Sequence, residues 1–389
     1  MTYCVDTVYL KGRAGSPMRA TNLLLLLACL ASSPGSAQTL RIAGLYPTNN
    51  QGHYNCTCGL EAACITDAAV KKAQAEGMDI YYEQFDKGWS VEPTIEATDK
   101  AIAGKFDVAV GTLVSADAIA AAERLTNARI PFFVPTATNP QVTANNPYAT
   151  RIAFNDFRQA ALLAKFATRE LKAKKIAVVR NFTMAYSDFL ASAFEKEIKR
   201  ISPKIVVREY KMIDGSLDTK TAVDQMLADK ADLIFVPISQ KEISNLYAEL
   251  ANRNVKITLL ASDTVEARPQ FLAGLGRASQ TIRFIYPKHW NESSIGPDTE
   301  QYLKLLKTKC GQYKPSMTSA AAYDAIELLL ATMKSHPKAR GKDLIRLAHE
   351  TPFHGVTGVL RYGTDGDPIK ALELSYIKGN KSIYWKRYE

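Results

Sequence analysis

The sequence has no Gly-x-x-x-x-Gly-Lys loop, no Gly-x-Ser-x-Gly elbow and no His-Glu-x-x-His helix, which removes common signatures of nucleotide, ester and zinc-dependent peptide hydrolysis. Histidine is scarce. Five residues in 389, His53, His289, His336, His349 and His354, read as loop or helix-end positions, and none follows a strand with a serine, cysteine and acid in a constellation. No catalytic residue, metal or cofactor is expected. Long basic runs are missing as well: the 49 lysines and arginines outnumber the 39 acids, for a formal charge of +10, but they are scattered through both halves without an aromatic-interleaved stripe. Nucleic acid is therefore not an expected partner. Beyond residue 37 no stretch is apolar enough to cross a bilayer, and Gly274-Leu275-Gly276 follows a helical pattern, so it reads as a helix stop rather than a dinucleotide fingerprint. What remains, 47 % apolar and 23 % charged residues, is the balance of a globular protein and excludes disorder and coiled coil.

Residues 1–37 are set apart from the fold. Arg19 precedes an apolar run over residues 23–31 that is too short to span a membrane, and Ser32-Ser33-Pro34-Gly35-Ser36-Ala37 has the small residues of a signal-peptidase site. An export signal cleaved after Ala37 is expected, with Met18 a candidate initiator. The alternative is a lipid-anchored Cys29 in Leu26-Leu27-Ala28-Cys29, a poor lipobox at Leu27. Both place the protein outside the cytoplasm, in the periplasm. Removal of residues 1–37 takes away three basic side chains and one acid and lowers the charge to +8.

Downstream, short β-rich runs alternate with helical patterns. Strands are predicted over residues 40–45, 79–85, 107–111, 130–134, 175–179, 205–210, 232–236, 256–260 and 281–286, with helices such as 115–127, 157–171, 186–200, 220–228 and 240–252 between them. Runs such as Leu233-Ile234-Phe235-Val236 are apolar throughout, as a sheet covered on both faces requires. The chain is thus α/β with parallel sheets. Nine or ten such units exceed one compact sheet, and Asn-Asn-Pro and an extra short strand interrupt the rhythm near residue 150, so two lobes are expected.

Open α/β sheets bind ligands beyond the carboxyl ends of their strands, which directs attention to the residues that follow each strand. Ser115, in Gly111-Thr112-Leu113-Val114-Ser115, opens a helix where a hydroxyl and free backbone N–H groups converge on an anion; its ordinary role there is an N-cap. Thr136, Ala137 and Thr138 lie in Pro135-Thr136-Ala137-Thr138-Asn139-Pro140, offering hydroxyls and carbonyls, or simply a turn. Tyr186 and Asp263 follow two strands of the second half. An aspartate there can pair with an ammonium group or cap the next helix.

The order of these segments, continued through Asn146-Pro147-Tyr148, Arg151, Ala185-Tyr186, Ala231-Asp232-Leu233-Ile234-Phe235-Val236-Pro237, Tyr323-Asp324-Ala325 and Phe353-His354-Gly355-Val356-Thr357-Gly358, resembles the type I periplasmic binding proteins of the leucine/isoleucine/valine class. The resemblance implies two Rossmann-like lobes, residues 38–154 with 287–361 and residues 155–286 with 362–389, joined by three crossovers around a ligand cleft. It implies an ABC importer's solute-binding component, partnered by membrane permease subunits, that closes on a small zwitterion, an amino acid. Ser115 and Thr138 would take the carboxylate, the Thr136 backbone and Asp263 the ammonium, and Tyr186 would cover the ligand. Alternatives within the same fold are an amide, urea or aromatic-acid binder, or a ligand-sensing partner of a membrane receptor.

The first loop departs from the family. Where a Gly-rich turn and an aromatic are usual, Tyr46-Pro47-Thr48-Asn49-Asn50-Gln51-Gly52-His53-Tyr54 runs into Cys56, Cys58 and Cys64. Tyr54 is the candidate aromatic, and Tyr286, Trp89 and Trp290 are further candidates for an apolar cleft wall. Cys56, Cys58, Cys64 and Cys310 are an even set in an oxidising compartment, so one or two disulfides are expected, with three complete pairings open. A soft-metal site with His53 is the weaker alternative, since Cys-x-Cys is not a standard zinc spacing.

Overall fold

The computed structural model describes residues 39–49, 57–212, 216–275, 281–292 and 297–389. The first lobe begins with β1 (Leu40–Tyr46), α1 (Cys58–Ala75), β2 (Ile80–Asp86), α2 (Val91–Ala103), β3 (Val108–Gly111), α3 (Ser115–Asn127), β4 (Phe132–Val134) and β5 (Ala149–Arg151). Its five strands form a parallel sheet in the order β2-β1-β3-β4-β5. The chain then enters the second lobe through α4 (Asp156–Arg169), β6 (Lys175–Asn181), α5 (Ala185–Ile201), β7 (Val206–Met212), α6 (Thr219–Ala228), β8 (Leu233–Val236), α7 (Gln240–Asn252), β9 (Ile257–Ala261), α8 (Pro269–Gly274) and β10 (Ile282–Lys288). Next, α9 (Pro297–Lys309), α10 (Met317–Ser335), α11 (Gly341–Glu350) and the hairpin β11 (Phe353–Gly355) and β12 (Gly358–Leu360) return to the first lobe. Finally β13 (Leu372–Lys378) and β14 (Lys381–Tyr388) complete the second sheet, β14-β13-β10-β9-β8-β6-β7.

Every residue of β3 and β8 is buried, because helices cover both faces of each sheet. In the first lobe α1, α9, α10 and α11 cover one face, packing Ile65, Leu306 and Leu329 around Ile42, and α2 and α3 cover the other with Ala97, Ala121 and Leu125 against Leu45. In the second lobe Leu246 and Tyr247 of α7 pack beneath Ile234 and Leu259, while Leu163 and Phe194 of α4 and α5 lie beneath Phe235 on the opposite face. The chain passes between the lobes three times, after β5, after β10 and after β12.

All nine predicted strands are present, with ends within two residues of those expected. The sheets are not wholly parallel, however. β13 pairs antiparallel with β10, and β14 antiparallel with β13, because Gly379, at φ +62°, and Asn380 make a two-residue turn that folds the last strand back on its neighbour.

Two features fix the architecture beyond packing. Cys64 of α1 is disulfide-bonded to Cys310, just past α9, closing a sequence separation of 246 residues within the first lobe. Cys58 is disulfide-bonded as well. The second feature lies where the chain leaves the first lobe: Arg151, fully buried, reaches Asp367 on the third passage with its Nε 2.6 Å from Oδ1. Its Nη atoms donate to the Ala137 and Asn139 carbonyls at 2.8 and 3.0 Å, and Asn155 Nδ2 donates to the other Asp367 oxygen at 2.6 Å.

Candidate functional site

A cavity of about 150 Å³ lies between the lobes, and its walls are largely the residues that follow strands. From the first lobe come Leu113, Val114 and Ser115 after β3, and Thr136, Ala137 and Thr138 after β4; from the second come Met184 and Tyr186 after β6, Gln240 after β8 and Asp263 after β9. Trp89, Met317 and His289 complete much of the lining. The volume is below the usual range for drug-sized ligands and suits a small solute.

The β3–α3 turn is built around Gly111. Its φ is +149°, and a Cβ there would sit 2.3 Å from the Leu45 carbonyl oxygen of the neighbouring strand. Thr112 follows in the left-handed region at φ +53°, a strained setting for a β-branched residue. The path delivers Ser115 as the first helical residue, with Val114 at the N-cap. Ser115 therefore does not cap the helix. Its Oγ accepts from the Asn139 N–H at 3.3 Å, which leaves its O–H to donate, beside the first-turn N–H groups and positive helix end. Gly111→Ala is expected to destabilise the protein by roughly 3 kcal/mol, combining a disfavoured φ with a backbone clash, and thermal unfolding reads the loss.

The β4 loop is held rather than free. Thr136 Oγ1 donates to the Leu113 carbonyl at 3.0 Å, the Ala137 carbonyl is taken by Arg151, and Thr138 is 1 % exposed with its carbonyl accepting the Asp156 N–H at 2.9 Å.

Asp263 faces these groups from the second lobe. Gln159 Nε2 donates to its Oδ1 at 2.8 Å, the Tyr186 hydroxyl donates to the same oxygen, and His289 Nε2 lies 2.8 Å from Oδ2. Its own N–H donates to Gln159 Oε1 at 3.1 Å. Burial pushes the Asp263 carboxyl up, but the hydrogen bonds from His289, Tyr186 and Gln159 reverse this and hold it below the usual carboxylate value. It is an anion at neutral pH. Burial pushes His289 below its ordinary value, so that imidazole is neutral, while burial together with the charge on Asp263 pushes Asp156 well above the carboxylate range.

Contacts between the lobes flank the cavity. Arg268 donates to Glu61 of α1 at 2.6 and 2.8 Å and to Glu266 at 2.7 Å, and Glu266 accepts the Met317 N–H at the start of α10 at 2.9 Å. They bring the two lobes together at a second, larger cavity of about 670 Å³ that shares Glu266 and Met317 with the first.

Of the residues expected at the site, Ser115, Thr136, Ala137, Thr138, Tyr186 and Asp263 meet in one cavity, and Trp89 joins them. Tyr286 does not line it. The residue lies inside β10, fully buried in the second-lobe core with its hydroxyl on Ser382, because the strand runs two residues further than its apolar pattern suggests. Trp290 packs edge-on to Tyr302, with ring centroids 5.8 Å apart, and borders the larger cavity. Tyr54, His53 and Cys56 lie outside the described residues. Among the described residues no group of three metal-ligating side chains gathers. His289 and Gln159 are the residues that sequence reasoning missed; the extra strand length makes His289 a post-strand residue like the others.

The periplasmic binding protein family model matches residues 39–381. A Leu/Ile/Val-binding protein of Rhizobium johnstonii is 23 % identical over 348 residues, covering 88 % of this chain and 92 % of that protein. Among solved structures, a leucine-binding protein of Thermotoga maritima superposes with a TM-score of 0.80 at 22 % identity, covering 90 % of this chain and 98 % of the other. A solute-binding protein of an R. palustris ABC transporter, in complex with benzoate, gives 0.75 at 20 %, covering 90 % and 96 %. With a matching family model over most of its length and a small cleft between two α/β lobes, the chain belongs to the periplasmic binding protein family.

Proposed function

We propose that the protein captures a small zwitterionic amino acid outside the cytoplasm, in the periplasm, and delivers it to ABC permease subunits. The observation that carries this is the pairing of opposite charge preferences in one cavity: the α3 N-terminus with Ser115 on one side, the Asp263 anion on the other. No lysine or arginine is among the described lining residues. A carboxylate at the helix end and an ammonium at Asp263 satisfy both sides, whereas a purely anionic aromatic acid leaves Asp263 without a counter-charge. Leu113, Val114, Met184, Met317 and Trp89 supply an apolar wall for a side chain, and the Leu/Ile/Val-binding relative supports an aliphatic one.

The test is thermal unfolding of protein freed of carried-over ligand, with leucine, isoleucine, valine, benzoate, N-acetyl-leucine and leucinamide. An amino acid at about a hundred times its Kd stabilises the fold by roughly 2.7 kcal/mol, while the two blocked derivatives and benzoate leave the midpoint unchanged. A shift with benzoate alone establishes the aromatic-acid reading instead.

A further inference from the structure

We propose that His289 is a positioning residue for ligand capture: as an uncharged donor to Asp263 Oδ2, it orients the carboxylate in the cavity wall while leaving its negative charge for the ligand's ammonium. The proposal rests on the amino-acid function proposed above. Asp263 is surrounded by three donors, the Gln159 amide, the Tyr186 hydroxyl and the His289 imidazole. Neutral donors hold an anion in place without cancelling it; a lysine or arginine in the same position would leave the ammonium facing a neutral pair. His289 meets the requirement of neutrality by its setting. It is 2 % exposed, its ring lies 3.9 Å from the Phe154 ring centroid, and its Nδ1 is buried without a hydrogen-bond partner. A charged imidazole has two N–H donors to satisfy, and this site offers an acceptor to one only.

The charged and titratable groups around the ring agree. Asp156 of α4, near Asp263, is pushed well above the carboxylate range by burial and by the Asp263 charge. Glu266 is paired with Arg268, and Tyr186 of α5 stays protonated. Lys370, on the third passage, donates to Thr357 Oγ1 at 2.7 Å and further disfavours charge on His289, while Asp324 of α10 accepts from Val356, Thr357 and the Thr357 hydroxyl rather than from the imidazole. Asp263 is thus the acceptor that holds the ring.

A proton added to His289 turns the neutral donor into a cation and cancels the site's charge. Ligand affinity should therefore fall with pH below the ordinary histidine range of about 6.5, approaching tenfold per pH unit once the imidazole titrates. Calorimetric Kd values for the amino acid identified by thermal unfolding, measured between about pH 7.5 and about pH 5, test this. His289→Gln, which keeps a neutral donor, is expected to bind within a few-fold of the parent and to lose the pH dependence. His289→Leu, which has no donor, should bind about tenfold more weakly at every pH. Equal affinities for the Gln and Leu variants with unfolding midpoints preserved, or an acid-side loss of affinity that persists in the Gln variant, overturns the role of His289 while leaving the amino-acid reading intact. Failure of the parent to bind any amino acid at the higher pH overturns both.

Discussion

Asp263→Asn is expected to weaken binding of the amino acid by roughly a hundred- to a few-thousand-fold while leaving the fold in place. The ligand ammonium meets a buried carboxylate in the cavity wall, and removing one partner of such a buried pair costs about 3–5 kcal/mol. The substitution is structurally mild because the network can accept it. The asparagine oxygen still accepts from Tyr186 and Gln159, and the side chain keeps its size and shape, so the cost is confined to the contact with His289 Nε2. Calorimetry alongside circular dichroism separates loss of affinity from loss of fold. A Kd within threefold of the parent would remove Asp263 from ligand recognition.

The second large effect is on stability. Replacing both Cys64 and Cys310 by alanine releases a loop closed over a sequence separation of 246 residues, which in the chain-entropy account costs on the order of 5 kcal/mol. The double variant keeps the disulfide of Cys58 and so isolates this bridge, which a reducing agent does not. The midpoint of thermal unfolding should fall by about 7 °C, with ligand affinity unchanged near neutral pH, because both cysteines belong to the first lobe and neither lines the cavity. A loss of under about 1 kcal/mol would show that α1 and α9 are held by packing alone.

Much of this organisation was legible in the chain. Helix α3 begins at Ser115 and ends at Asn127 as its pattern predicts, because the Gly111-Thr112 turn leaves it only one place to start. The post-strand rule assembled Ser115, Thr136, Thr138, Tyr186 and Asp263 without reference to their distance in sequence. The same rule missed His289 for a local reason: Pro287 lacks an N–H and reads as a strand terminator. It is tolerated because the β9 register ends at Ile285, so β10 continues along β13 alone. That extension carries Tyr286 into the core and His289 to the cleft. Contacts such as Gln159 with Asp263, or Cys64 with Cys310, leave no local trace, since they depend on how whole elements dock rather than on periodicity or capping.

Arg151 sets a mechanical limit on how such a molecule opens. The guanidinium and Asn155 grip both oxygens of Asp367, so the first and third passages form one post rather than two independent strings. Separating them would strand a buried charge, a cost of about 3–5 kcal/mol that ordinary breathing does not meet. A swing of the lobes that keeps this cluster intact turns about it as a pivot. A door hung this way returns Asp263 to the same place opposite Ser115 at every closure.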